Sequence, residues 1–257
     1  MLLKKEFLNK EVLEKIYSGC IVQFSKRQNS KLLVDYTQNL LNAIFKTPTP
    51  EFSESKLSYE LHYEKIFEIR KLILSDITIS YLLEELLKEL GLNNTDWNFD
   101  SLRLRAITTY GHKLDKAKPA YYIHRDTWYS NPESQINFWI PISPINKNNS
   151  FTFYTRYFNE AIQNDSYLFN HKEFNDQGGF QNLKGAIQKT YPRAIGEVQP
   201  PKLIPELNSQ EILAFSAHHL HGTNHNQTDR TRFSLDFRIF PKEKILNFPL
   251  NIDNKSV

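Results

Sequence analysis

Two rhythms divide the chain. Up to about residue 100, apolar positions recur at three- and four-residue spacing: Leu33, Tyr36, Leu40, Leu41, Ile44 and Phe45 make one stripe. Tyr59, Tyr63, Ile66, Phe67 and Ile73 make a second, and Leu82, Leu83, Leu86, Leu87 and Leu90 a third. That period puts the apolar side chains on one face of a helix. Asn29 and Ser30 are suited to cap the first helix at its start, and Thr47-Pro48-Thr49-Pro50 stops it. Asp76 is placed to cap the third, and Gly91 stands where a left-handed helix end is favoured. All three are expected to pack as layers on a core. The opening Met1–Lys15 mixes charges with apolar residues and lacks a signal-peptide core, so it reads as folded structure.

From about residue 101 the period changes to two. Ser101–Ile107 and Gln135–Ile140 alternate apolar with polar residues, and Phe151–Thr155, Glu211–Ser216 and Thr231–Phe240 are further strand candidates. Turns rich in Asn, Pro and Gly separate them, the rhythm of an antiparallel sandwich or barrel. Asn159 to Pro205 carries Gly178-Gly179 and four prolines, Pro192, Pro200, Pro201 and Pro205, and is expected to be an extended insertion. No linker stands out. The expected organisation is one domain over 1–257: a helical layer over 1–100 and a mainly β core over 101–245, interrupted at about 159–205.

Composition narrows the partners more than the chemistry. The chain has 257 residues, 40% of them hydrophobic and 24% charged, as in ordinary globular proteins. No apolar run approaches the roughly 18 residues of a membrane span, so an integral membrane protein is not expected. Thirty-two basic and twenty-nine acidic side chains are spread along the chain and leave no footprint for nucleic acid. The single cysteine, Cys20, forbids an intrachain disulfide and fits a reducing cytoplasm; it is given no role.

The histidines are crowded. Four of the eight, His218, His219, His221 and His225, follow directly on the apolar run Glu211–Phe215. Upstream, Tyr121–Asp126 reads as the end of a strand carrying His124 and Asp126 two residues apart, which in extended backbone project to one face. An imidazole and a carboxylate so presented can take adjacent positions on one ion, and a ligand from a distant strand would complete a facial triad. Alone, His-x-Asp is a weak motif, and a strand histidine is commonly a satisfied polar group. Arg232 lies eleven residues beyond His221, in a stretch whose even positions Arg232, Ser234, Asp236 and Arg238 are polar. By itself that face reads as a solvated edge. Beside a metal, its guanidinium is a bidentate partner for an anionic cosubstrate, with the Ser234 hydroxyl on the same side.

Taken together, His124-Arg125-Asp126, His221 and Arg232-Phe233-Ser234 resemble the HxD...H...RxS pattern of the Fe(II)/2-oxoglutarate-dependent oxygenases. His221-Gly222-Thr223, with Asn226, Thr228 and Arg232, resembles the distal motif of phytanoyl-CoA-dioxygenase-like members. His124–Trp128 with Gln135–Pro141 looks most like their StrG-like branch, of streptomycin biosynthesis. The resemblance covers roughly residues 101 to 240. It implies a double-stranded β-helix, a jelly roll, flanked by helices. It implies that His124, Asp126 and His221 bind Fe(II), that 2-oxoglutarate takes two further positions and dioxygen the last, and that Arg232, helped by Ser234, holds the distal carboxylate. Succinate and CO2 would be released, and the carboxylate of Asp126 favours hydroxylation, desaturation or ring closure over halogenation.

His221 is preferred as third ligand because it precedes Gly222-Thr223 and stands eleven residues before the Arg-x-Ser pair. His219 is a neighbour of the metal or the alternative ligand, and His218 and His225 are read as turn residues. Gln135 and Asn137 share a strand face, where they bind cosubstrate or substrate or else complete a buried hydrogen-bond network. Trp128 walls the pocket or belongs to the core. Arg103 and Arg105 meet an acidic substrate or, more simply, solvent, and Arg238 is an alternative anchor for which a surface or structural role is favoured. The implied substrate is a small polar metabolite. Two other classes stay open: a zinc hydrolase using His219, His221 and either His124 or His225, and a jelly-roll module that binds a small molecule without catalysis.

Overall fold

The computed structural model describes residues 1–93, 95–176 and 191–242. In chain order the elements are β1 (Leu2–Lys5), α1 (Lys10–Tyr17), β2 (Ile21–Phe24), α2 (Gln28–Phe45), α3 (Tyr59–Ser75), α4 (Ile77–Glu89), β3 (Trp97–Phe99) and β4 (Arg103–Ile107). There follow β5 (Ile136–Pro141), β6 (Phe151–Tyr154), α5 (His171–Asp176), β7 (Lys202–Leu203), β8 (Ile212–Ser216), β9 (His221–Thr223) and β10 (Arg232–Pro241). A seven-stranded sheet runs β1-β2-β8-β5-β10-β3, with β4 also paired to β10, and a three-stranded sheet runs β7-β6-β9. Only the β1–β2 pairing is parallel among the described strands.

Strict alternation gives the large sheet two unlike faces. Phe233, Leu235, Phe237 and Ile239 of β10 join Ile136, Phe138 and Ile140 of β5 and Val22 and Phe24 of β2 in one buried cluster. The same cluster takes in Leu33 and Leu41 of α2, Ile66, Ile69 and Ile73 of α3, and Leu83, Leu86 and Leu87 of α4. Phe138 and Phe237 stack there at 4.9 Å. On the opposite face Ile21, Trp139, Leu213 and Phe215 meet Phe151 and Phe153 of β6, so the second core lies between the sheets.

The two rhythms are realised with corrections. α2 begins at Gln28, and neither Asn29 nor Ser30 is its cap: Arg27 holds that place, and the Ser30 hydroxyl accepts from the Arg27 amide at 2.8 Å. The Glu89 carboxylate, reaching over from α4, accepts from the Gln28 and Asn29 amides at 3.1 and 2.9 Å, an anion where the helix dipole favours one. Asp76 caps α4 as expected, its Oδ1 accepting from Thr78 and Ile79, and Gly91 takes φ +93°. The first hundred residues are not purely helical, because β1 and β2 extend the main sheet beside β8. In β2, Ile-Val-Gln-Phe, all four residues are buried, so it shows no alternation to betray it. β10 is no solvated edge: β5 flanks it on one side and β3 and β4 on the other. Tyr121–Asp126 is not a strand end either; a short helical turn over Asp115–Tyr121 leads to a single bridge at His124. Part of the expected insertion, 177–190, lies outside the described residues. Its described arms hold α5 and β7, and the Ala194 amide donates to the Ile123 carbonyl at 2.7 Å.

Candidate metal centre

The site grows from one bridge between distant stretches of chain. His124 and His221 exchange backbone hydrogen bonds of 2.8 and 2.9 Å. Gly222 lets the two segments approach: a Cβ there would lie 2.9 Å from Ile123 Cγ1 and 3.3 Å from its Cα. Beyond the bridge the backbone stays extended at Arg125, φ −106° and ψ 143°, so His124 and Asp126 share one side. Arg125 goes the other way and is fully buried, with Nη1 donating to the His218 carbonyl and Nη2 to that of Tyr157, both at 2.5 Å. This arginine, unassigned by the sequence, clamps the loops behind the ligands.

One ligand atom each from His124, Asp126 and His221 lies within 4.8 Å of the others. Nδ1 of His124 contacts the Tyr122 carbonyl at 2.8 Å, and Nδ1 of His221 contacts that of His219 at 3.0 Å. A carbonyl only accepts, so both Nδ1 atoms carry protons and both Nε2 atoms face the site. Asp126 is held the same way: Asn137 Nδ2 donates to Oδ2 at 2.6 Å, and Oδ1 stands 3.5 Å from His124 Nε2. Gln135 Nε2 in turn donates to Asn137 Oδ1 at 2.8 Å. Burial opposes the charge on Asp126, but the hydrogen bond from His124 and the charges of His221 and Arg238 prevail and hold it below the usual carboxylate range. Burial, with the neighbouring His124, lowers His221 to about 4, against the pull of Asp126. At neutral pH His221 is therefore a neutral imidazole and Asp126 a carboxylate, the donor states a divalent ion takes.

The triad opens into a cavity of about 1030 Å³ that also admits Arg232. Nη1 of Arg232 donates to the carbonyls of Asn149 and Ser150 at 2.9 and 3.0 Å, and its guanidinium lies 5.7 Å from the Trp139 ring centroid. Its Nε, though buried, has no hydrogen-bond partner among the described residues. Burial lowers this group to about 10, which leaves it cationic at neutral pH. A buried cation with an unpaired donor is suited to take an anion.

No protein-family model matches the chain, and no curated protein matches it. Among solved structures, the apo form of the non-heme monooxygenase ThoJ aligns with a TM-score of 0.53 at 12% identity, over 90% of this chain and 77% of that one. The ThoJ–Ni complex aligns with a TM-score of 0.50, at the same identity and coverage. The chain shares the fold of a non-heme monooxygenase. The narrower StrG-like likeness rests on the motifs alone.

Within this fold the other sequence candidates separate. Asn137 lines the cavity and Gln135 does not; both serve the buried network that steadies Asp126. Ser234 is fully buried, its hydroxyl accepting from Trp139 Nε1 at 3.0 Å, and it is absent from the cavity lining. His219 turns Nδ1 to the Ser216 carbonyl and Nε2 to that of Gly19 and stays out of the triad. His218 does sit in a turn, but buried against Phe158. His225 stacks on His112 with centroids 3.8 Å apart. Trp128 packs with Tyr157 and Leu220 as core. Arg103 and Arg105 line the cavity, paired with Asp100 at 2.6 Å and with Asp236 at 2.8 and 3.0 Å. Missed altogether were Asn131, whose amide holds the Asp126 carbonyl at 2.8 Å, and Tyr129, whose ring stands edge-on to His124.

Proposed function

We propose that this chain is a non-haem Fe(II)/2-oxoglutarate-dependent oxygenase whose paired sheets are a double-stranded β-helix, and that it oxidises a C–H bond of a small-molecule substrate, releasing succinate and CO2. The observation that carries it is the convergence of His124, Asp126 and His221 on one cavity that also holds the buried, partly idle Arg232. The ThoJ–Ni complex, a metal-bound protein of this fold, supports the same reading. His124, Asp126 and His221 would hold the ion, and Arg232 the distal carboxylate of 2-oxoglutarate. When bound, Fe(II) supplies activation of dioxygen coupled to decarboxylation of 2-oxoglutarate.

The protein's own contribution is placement. The carbonyls of Tyr122 and His219 fix the imidazole tautomers, and Asn137 takes one carboxylate oxygen of Asp126, leaving the other for the metal. Arg232 is held by two backbone carbonyls and Trp139, so its remaining donors are set in direction before the diacid arrives. The Ser234 hydroxyl, engaged by Trp139, acts through that ring, which stacks beneath the guanidinium. The zinc-hydrolase set is disfavoured because both ring nitrogens of His219 face backbone carbonyls and His225 is stacked on His112.

Anaerobic addition of Fe(II) and 2-oxoglutarate tests the reading. A weak visible charge-transfer band is expected; a zinc hydrolase or a non-catalytic binder gives none. Arg232→Ala should raise the 2-oxoglutarate concentration needed for that band about tenfold or more while iron binding persists. An unchanged requirement would move the anchor to another cation.

A further inference from the structure

A second cationic end of the cavity is unused by this chemistry. Arg238 shares the inward face of β10 with Arg232 but lies six residues along, roughly 20 Å at strand rise, too far for one five-carbon diacid to engage both. It stands opposite Asn137 in the register of β5 and β10, on the Asp126 side of the triad. It is half-buried and lines the cavity, and among the described residues its guanidinium makes no hydrogen bond or ion pair; its backbone amide donates to the Asp100 carboxylate and its carbonyl accepts from the Asp100 amide. The nearby carboxylates feel its charge but make their contacts elsewhere: Asp236 with Arg105 and Asp100 with Arg103, while Asp126 faces the metal position. Arg70 adds a further guanidinium, its Nε donating to the Leu104 carbonyl at 3.1 Å. With a divalent ion on Asp126, this end carries a net positive charge. The other acidic lining residues, Glu60, Glu64 and Asp115, are exposed, where water and salt screen them.

The wall between the two ends is apolar and aromatic, running from Tyr63, whose hydroxyl lies 3.4 Å from that of Thr108 near Arg232, toward Arg70 at Leu104. Tyr59, Tyr63 and Phe67 of α3 recur every four residues and line the cavity, whereas the core is met by Ile66, Ile69 and Ile73. Tyr59 and Phe67 are 43% and 38% exposed. The stripe that the sequence assigned to core packing is thus split, its aromatic half turned toward the cavity. About 1030 Å³ is also far more room than a five-carbon cosubstrate fills.

We propose that Arg238 is the specificity-determining cation for the substrate: the substrate presents an anionic oxygen group, carboxylate or phosphate, to this guanidinium and lays a ring-sized apolar body toward the Phe67 end of the aromatic stripe. This deepens the oxygenase reading and rests on it for the reaction.

The test is a binding titration of 2-naphthoate, 2-naphthyl phosphate and the neutral 2-naphthalenemethanol, followed by probe fluorescence. It is run on the protein loaded anaerobically with Fe(II) and 2-oxoglutarate, and on metal-free protein. The anions are expected to bind about tenfold or more tighter than the alcohol, and the tighter of the two names the substrate's charged group. Arg238→Met and Arg238→Gln should erase the preference while the 2-oxoglutarate requirement for the visible band stays as in wild type, and Arg238→Lys should keep part of it. Equal affinity for all three probes, no binding of any at millimolar concentration, or an anion preference that survives Arg238→Met overturns the proposal. Should circular dichroism show both neutral variants unfolded, the Lys variant and added salt decide: a preference unmoved by either overturns it. A missing visible band in wild type sinks the oxygenase reading instead, and the metal-free titration still judges Arg238.

Discussion

The two faces of the large sheet are built from the same strands and have almost nothing else in common. Along β10, Phe233, Leu235, Phe237 and Ile239 lie under the helices, while Arg232, Asp236 and Arg238, on the intervening positions, line the cavity. The period of two thus sorts stability and chemistry into alternate residues of one strand. The inner face carries charges that would be costly in a core; Arg105 is matched to Asp236, and Arg232 is held by two carbonyls with one donor unpaired among the described residues. Helices serve one face and a small sheet the other, and the candidate metal ligands come from neither the large sheet nor the α-helices. They sit on β9 and on the loop bridged to it.

That division can be broken from either side. His124→Ala or Asp126→Ala should abolish metal binding and turnover and leave the thermal midpoint within a few degrees, read by calorimetric titration and melting; undiminished turnover would remove those residues from the site. Phe237→Ala strikes the other face: it leaves a cavity against Phe138 and should cost about 3–5 kcal/mol in urea unfolding, with the visible band retained in the folded fraction. Asn137→Ala, which frees Asp126 Oδ2, should weaken metal binding about 10- to 100-fold with little change in stability.

The gentlest effect is a pH slope. Burial depresses His219 from 6.5 to about 3, so between those values the unfolded chain binds the extra proton. Stability is full above pH 6.5 and falls on acidification, by about 1.4 kcal/mol for the unit below that value. His219→Gln should flatten that limb of the curve; an unaltered slope would assign it to other groups.

Much of this was legible in the sequence where one periodicity governed one environment. α3 and α4, the alternation of β4 and β10, and the pairing of His124 with Asp126 announce themselves by spacing, whereas His221 is picked out among four histidines by its resemblance to the HxD...H...RxS pattern. Residues whose placement depends on a partner far along the chain did not. β2 is buried on both faces and so shows no alternation. His124 is extended by virtue of its bridge to His221, 97 positions on, not by any local strand propensity. Arg105 reads as a solvated strand residue until Asp236 is placed across from it. Glu89 gives no local sign that it completes the start of another helix.

Gly222 shows how little protects the centre. Its missing side chain is the clearance between the stretch that ends in one imidazole and the stretch that begins with the other. One added methyl would pry the pair apart without altering any donor atom. An engineer wishing to silence this protein while keeping every ligand intact would start there, and a lineage losing its activity by drift would need only that same small step.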